Sequence, residues 1–166
     1  DGRGNYGVQA PRLAGMEDWY LKRQLESYRA GLRGVHPRDI EGVAMQPMAA
    51  KLTDESIAEI LDWVGSWEYK PSEVTIEGDA MAGRGLYNVC ATCHGAEGEG
   101  NDDLGAPALA GQNDWYLVTQ LKNFLNGYRG NQAEDTYGQQ MSIMAQTLAN
   151  EDNIVNVVSY INTLGR

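Results

Sequence analysis

The feature that most constrains this chain is that a large part of its sequence is written twice. Ala10-Pro11-Arg12-Leu13-Ala14-Gly15, followed by Asp18-Trp19-Tyr20-Leu21, returns 96 positions later as Ala106-Pro107-Ala108-Leu109-Ala110-Gly111 and Asp114-Trp115-Tyr116-Leu117. The register holds without a gap through Gln24/Gln120, Gly31/Gly127, Arg33/Arg129, Asp39/Asp135, Met45/Met141 and Met48/Met144, so that roughly 23 of the first 52 positions match. Two copies of one unit follow, and 166 residues leave room for two small domains. The expected boundaries are 1–67 and 78–166, joined by a linker over 68–77 that contains Pro71, Ser72 and several charges. At roughly 3.3 Å per extended residue that linker reaches about 30 Å. This is enough for equivalent surfaces of the two copies to pair about an approximate two-fold axis.

Each copy reads as helical. Apolar residues at Tyr20, Leu21, Leu25 and Tyr28, and at Tyr116, Leu117, Leu121 and Phe124, share one helix face, predicting helices over 19–28 and 115–124. Gly31 and Gly127 close them, as glycines past helix C-termini do. A second helix ends each copy, opened by Thr53-Asp54-Glu55 ahead of Ile57, Ile60, Leu61 and Val64, and by Asn150-Glu151-Asp152 ahead of Ile154, Val157, Val158 and Ile161. The register between these last helices slips by one. A further helix over 79–89, despite Gly83 and Gly85, leads into Cys90, and the first copy has no counterpart to it because Asp1 aligns with Glu97. Without that helix, the apolar face formed by Ile57, Ile60, Leu61 and Val64 is expected to be exposed.

The charge of −10 argues against a nucleic-acid binder, which needs clustered Lys and Arg, and favours a cationic protein partner. No stretch approaches the roughly 20 apolar residues of a membrane helix, and with a mean hydropathy of −0.47 the chain is expected to be soluble. The absence of an initiating Met at Asp1 is expected of a mature or trimmed product.

Cys90-Ala91-Thr92-Cys93-His94 is the attachment signature of a c-type haem. Two thiols at this spacing add to the two vinyl groups of one porphyrin, and the adjacent histidine is thereby held under the iron. A disulfide, a redox Cys-x-x-Cys or half of a zinc site are the alternatives. A zinc site wants further ligands, and the chain offers no third cysteine and only His36 besides, which reads as a surface turn residue before Pro37.

The surroundings of the motif carry a resemblance. Helix, Cys90-x-x-Cys93-His94-Gly95, a Gly-rich loop, Ala106-Pro107-x-Leu109-Ala110-Gly111, a helix, a Met-bearing loop and a final helix together resemble the class I cytochrome c domain. The duplication resembles the di-haem cytochromes of the c4 type. The resemblance implies an all-α fold of two tandem class I cytochrome c-like domains, the first lacking its N-terminal helix and haem-attachment motif. It further implies Met141 as the second axial ligand, with Met144 as competitor, and a Pro107 carbonyl that receives the other ring N–H of His94. A Met/His pair raises the reduction potential relative to a histidine pair.

Arg129 and the aromatic donors Trp115 and Tyr116 suit haem propionates, with core packing as the aromatics' alternative role. Glu97, Glu99, Asp102 and Asp103 form an acidic cluster beside the motif, suited to steering a cationic redox partner, with a solvated face as the alternative. Asn101 and Asp102 lie in a loop expected to be solvated.

Met45 and Met48 repeat the methionines of the second copy without an attachment motif of their own. Three explanations stand beside each other: a sequence shorter than its parent, a first domain that has lost its haem, or an anchor of another kind. The first is preferred, with Met45 as the ligand of a second haem in that parent. The expected function is single-electron transfer between redox proteins in the periplasm or an equivalent extracytoplasmic space. A cytochrome subunit of a larger oxidase, dehydrogenase or di-haem peroxidase is the alternative, since a catalytic or gas-sensing haem requires an open coordination position.

Overall fold

The computed structural model describes residues 1–165. They form an all-helical molecule with α1 (Asp18–Arg29), α2 (Ile40–Ala49), α3 (Asp54–Gly65), α4 (Ala80–His94), α5 (Asp114–Leu125), α6 (Thr136–Ala145) and α7 (Glu151–Ile161), plus single 3-10 turns at Tyr6–Val8 and Gln146–Leu148. The helices predicted from periodicity are α1, α3, α4, α5 and α7.

Local chemistry sets their ends. Thr53 caps α3 reciprocally with Ser56, and Asn150 accepts from the Asn153 N–H at the start of α7. Gly31 and Gly127 sit in the left-handed region at φ 72° and 69°. There the N–H groups of Gly31 and Leu32 donate back to Tyr28 and Ser27, and those of Gly127 and Tyr128 to Phe124 and Asn123.

Two expectations are corrected. The methionines do not lie in loops: Met45 and Met48 belong to α2, and Met141 and Met144 to α6. The signals for these helices are the caps rather than an apolar period. Asp39 and Asp135 accept from the N–H groups of Gly42 and Gly138, while the helices present a mixture of small, polar and sulfur-bearing residues. The face of α3 is also less exposed than expected, because α1 packs on it: Ile57 and Val64 are buried and Ile60 and Leu61 half-buried. In the second repeat, where α4 and α7 cross closely, all four equivalents are buried.

Stretch 68–79 has no regular structure and is strapped to the second repeat. The N–H groups of Thr75 and Ile76 donate to the Asp114 carboxylate at 2.6 and 2.8 Å, and the Ser72 hydroxyl donates to the Gly111 carbonyl.

The repeats meet along a seam whose hydrogen bonds come in reciprocal pairs. Arg33 donates to Gln24 at 2.7 Å, to Gln120 at 3.2 Å and to Tyr116 at 3.2 Å. Its register mate Arg129 donates to Gln120 at 2.7 Å, to Gln24 at 2.9 Å and to Tyr20 at 3.2 Å. The Arg12 N–H donates to Asn113 and the Ala108 N–H to Glu17, which is the same bond seen from the other side. Such exchange of equivalent contacts is the signature of approximate two-fold pairing. Burial works against the charge of Arg33, but the phenolic oxygens of Tyr28, Tyr116 and Tyr20 around it more than compensate and raise its pKa.

Candidate functional site

The C-terminal turn of α4 presents Cys90, Cys93 and His94. Positions three and four apart share a helix face, so the two sulfurs and the ring emerge together. Cys90 is half-buried against the core, Cys93 is exposed, and both thiols are free; burial pushes the Cys90 thiol up. The helix stops at Gly95, whose φ of 83° turns the chain away.

The loop after it folds back through two backbone bonds, from the Asn101 N–H to Ala106 and from the Ala106 N–H to Asn101, at 2.7 and 2.9 Å. Asn5 and Ala10 repeat the same pair in the first repeat. This closure brings the Pro107 carbonyl to the His94 ring, whose Nδ1–H donates to it at 2.7 Å. The bond selects the tautomer with a free Nε2 lone pair and fixes the plane of the ring. Burial lowers the pKa of His94, which favours the neutral form a metal ligand needs.

His94 opens into a cavity of about 1480 Å³, its mouth included. Cys90, Cys93, Pro107, Met141, Met144, Tyr116 and Arg129 also line it, so most of the sequence-predicted site converges here. Leu109, Leu117, Leu121, Phe124 and Leu148 supply apolar wall.

Trp115 is the exception. It is buried on another face of α5, edge-on to Tyr6 at 5.6 Å, so its role is packing. It precedes Tyr116 by one residue, a 100° rotation on the helix, and that rotation turns it away from the cavity that Tyr116 and Leu117 line. Met45 and Met48 are 40% and 68% exposed on α2. His36 sits in the turn before Pro37, its ring stacked on Tyr128 at 4.7 Å and its Nδ1 accepting from the Arg38 N–H.

The donor set suits a haem. An oriented imidazole, two free thiols on the same helix face, a thioether and apolar walls match the iron, vinyl groups and macrocycle, and the Arg129 guanidinium matches an anionic propionate. Among the described residues no group of three or more His, Cys, Asp or Glu side chains is arranged to hold a metal ion, so the zinc alternative has no ligand set there.

Sequence reasoning missed the contribution of the first repeat to this wall. Met16, Tyr20, Arg23, Gln24 and Ser27, all on or just before α1, line the same cavity. Periodicity within one repeat carries no signal for a contact made to the other.

Several known proteins are similar to this chain. The family model described as Cytochrome c matches residues 80–165. A protein named "Thiosulfate dehydrogenase electron acceptor" from Stutzerimonas stutzeri is 31% identical, over 100% of this chain and 76% of its own length. "Cytochrome c4" from Azotobacter vinelandii is 30% identical, over 93% of this chain and 76% of its own. A solved thiosulfate dehydrogenase, TsdBA from Marichromatium purpuratum, superposes with a TM-score of 0.75 at 30% identity over 99% of this chain, which spans 34% of that longer one. No helix among the described residues is long and apolar enough to cross a membrane.

Proposed function

The chain belongs to the cytochrome c family and is an electron carrier with covalently attached haem c, and from that premise we propose the residues that do the work. Cys90 and Cys93 would hold the haem through thioether bonds, and His94 and Met141 would be the side chains that bind its iron. When bound, the haem supplies a one-electron iron couple. The protein's part is to fix ligand geometry and exclude water. The Pro107 carbonyl holds the His94 ring, the leucine and Phe124 wall keeps the site apolar, and Arg129 and Tyr116 offer donors to the propionates.

The observation that carries this reading is the His94 to Pro107 hydrogen bond in a cavity that also holds both cysteines and both methionines. We take residues 78–166 as the haem-bearing domain, 1–67 as its partner domain and 68–77 as the linker.

Electrons pass where the cavity meets solvent, at exposed Cys93 and Leu104. Glu97, Glu99, Asp102 and Asp103, in the loop that follows the Cys90–His94 motif, are all exposed and suit a partner with a cationic face. The periplasm or an equivalent compartment, where c-type haems are attached, is the proposed location. The likeness over 99% of this chain to part of a thiosulfate dehydrogenase favours a second reading, in which the chain is the electron-accepting unit of a dehydrogenase.

Acid-acetone extraction of the purified chain tests the attachment: the haem is expected to stay on the protein, and its complete removal would overturn the assignment. Electron transfer to a basic redox protein is expected to slow with added salt, and Asp102→Lys with Asp103→Lys to remove that dependence.

A further inference from the structure

Arg23 differs from the other charged groups lining the cavity. It comes from α1 of the first repeat yet forms wall in the second. Its guanidinium donates to the Gly105 carbonyl and lies 4.1 Å from the ring centre of Tyr137 and 4.8 Å from that of Trp19. Its Nε is buried without a partner, and among the described residues no carboxylate forms an ion pair with it. Burying part of a cation without an anion costs free energy, and here only the Gly105 carbonyl and the aromatic rings offset that cost, leaving the charge itself unneutralised by a partner among the described residues.

The seat is shaped for this side chain. Gly105 sits at φ 64°, and a Cβ there would run into both the Arg23 guanidinium and the Tyr137 ring. The two-fold correspondence of the seam fails at this point. The register mates of Arg23, Gly105 and Tyr137 are Thr119, Gln9 and Glu41. The Thr119 hydroxyl donates to the Trp115 carbonyl of its own helix, so the second repeat sends no cation back.

We propose that Arg23 is the residue through which the first repeat raises the reduction potential of the haem held by the second. The inference rests on the haem reading above. Reduction brings one electron from the donor protein and lowers the positive charge of the site by one, and a fixed cation in the wall favours the state with less positive charge. Aromatic rings rather than a carboxylate lie against the guanidinium, so among the described residues no paired anion cancels its field at the cavity. The step moves one electron, and no bond is made or broken at Arg23.

Spectroelectrochemical titration of the full chain tests this with Arg23→Gln, Arg23→Met, Arg23→Lys and, as control, Lys22→Gln at an exposed position one residue away. The Gln and Met variants are expected to shift to lower potential, so that the oxidised-to-reduced ratio at a fixed applied potential rises several-fold. The Lys variant and the control are expected to titrate close to the wild type. Unshifted Gln and Met variants, an equal shift in Lys22→Gln, or a Lys variant that falls as far as Gln would each overturn the proposal. A wild-type chain without a haem-linked redox couple would overturn the haem reading along with it.

Discussion

Met141 and Met144 are three residues apart on α6, and both line the cavity into which His94 opens. Met144 is the more open of the two at 37% exposed, whereas Met141 is half-buried and is the register mate of Met45. Met141→Ala is therefore expected to abolish the methionine-to-iron charge-transfer band of the oxidised protein and to lower the potential, and Met144→Ala to leave both in place. The reverse pattern in the visible spectra would assign the bond to Met144. At the other end of the site, Asp114 gathers Thr75, Ile76, Asn162 and its own helix start around one carboxylate. Burial raises its pKa, but these donors outweigh burial and hold it below the ordinary carboxylate range. The unfolded chain then binds this proton more readily than the folded one. The stability it confers is complete at neutral pH and is lost as pH falls from about 4 through the folded value. Thermal melts across acid pH are expected to show that loss in the wild type and a smaller one in Asp114→Asn.

At the scale of elements, α4 and α7 make the closest helix pair, with Tyr87 set against Ile154, Val157, Val158 and Ile161 in one buried cluster. Gly83 lies at their crossing, where a Cβ would overlap the Asn156 carbonyl, while Gly85 in the same helix has open space around it. Helix propensity treats the two alike and favours alanine at either by about 1 kcal/mol. Packing separates them. Gly83→Ala is expected to force the helices apart and destabilise the fold by about 1–3 kcal/mol, as overpacking does. Gly85→Ala is expected to stabilise it by up to about 1 kcal/mol. Chemical denaturation of the two variants decides the matter, and equal effects would show that the crossing is not rigid. The caps of α3 and α7 and the glycine stops of α1 and α5 were legible in the sequence because each depends on residues within a few positions. Helices α2 and α6 were not, since they have caps but no clear apolar period.

The whole molecule is held as one body by the seam. Its reciprocal bonds allow a test that no single repeat permits: the double-mutant cycle of Arg33 with Tyr116 and that of Arg129 with Tyr20 measure equivalent contacts. Both couplings are expected to be favourable, in the range of about 0.5–3 kcal/mol, and to agree with each other. A coupling present on one side and absent on the other would mean that the two-fold relation is broken in solution. With a single Cys-x-x-Cys-His, this chain is expected to carry one covalent haem by intact mass. The segment between α3 and α4 is anchored on the second repeat by Asp114 and Gly111.

The sequence by itself determined the duplication, the helices with a clear period and the cysteine pair with its histidine, each written in spacing or in identity between register mates. Pro107 and Met141 are what the resemblance to the cytochrome c domain implies, and Tyr116 and Arg129 follow from the chemistry of their donors. Only the tertiary structure decided which neighbour of a pair faces the cavity, as with Tyr116 and Trp115, and why Gly83 must stay small. It alone placed Arg23, Met16 and Gln24 of the first repeat in the wall of the second. The physical reason is range. Periods and caps are properties of a few consecutive residues, whereas the cavity is closed by side chains some 60 to 145 positions apart that meet only when two helical units pack, and at Arg23 the repeat departs from its own pattern.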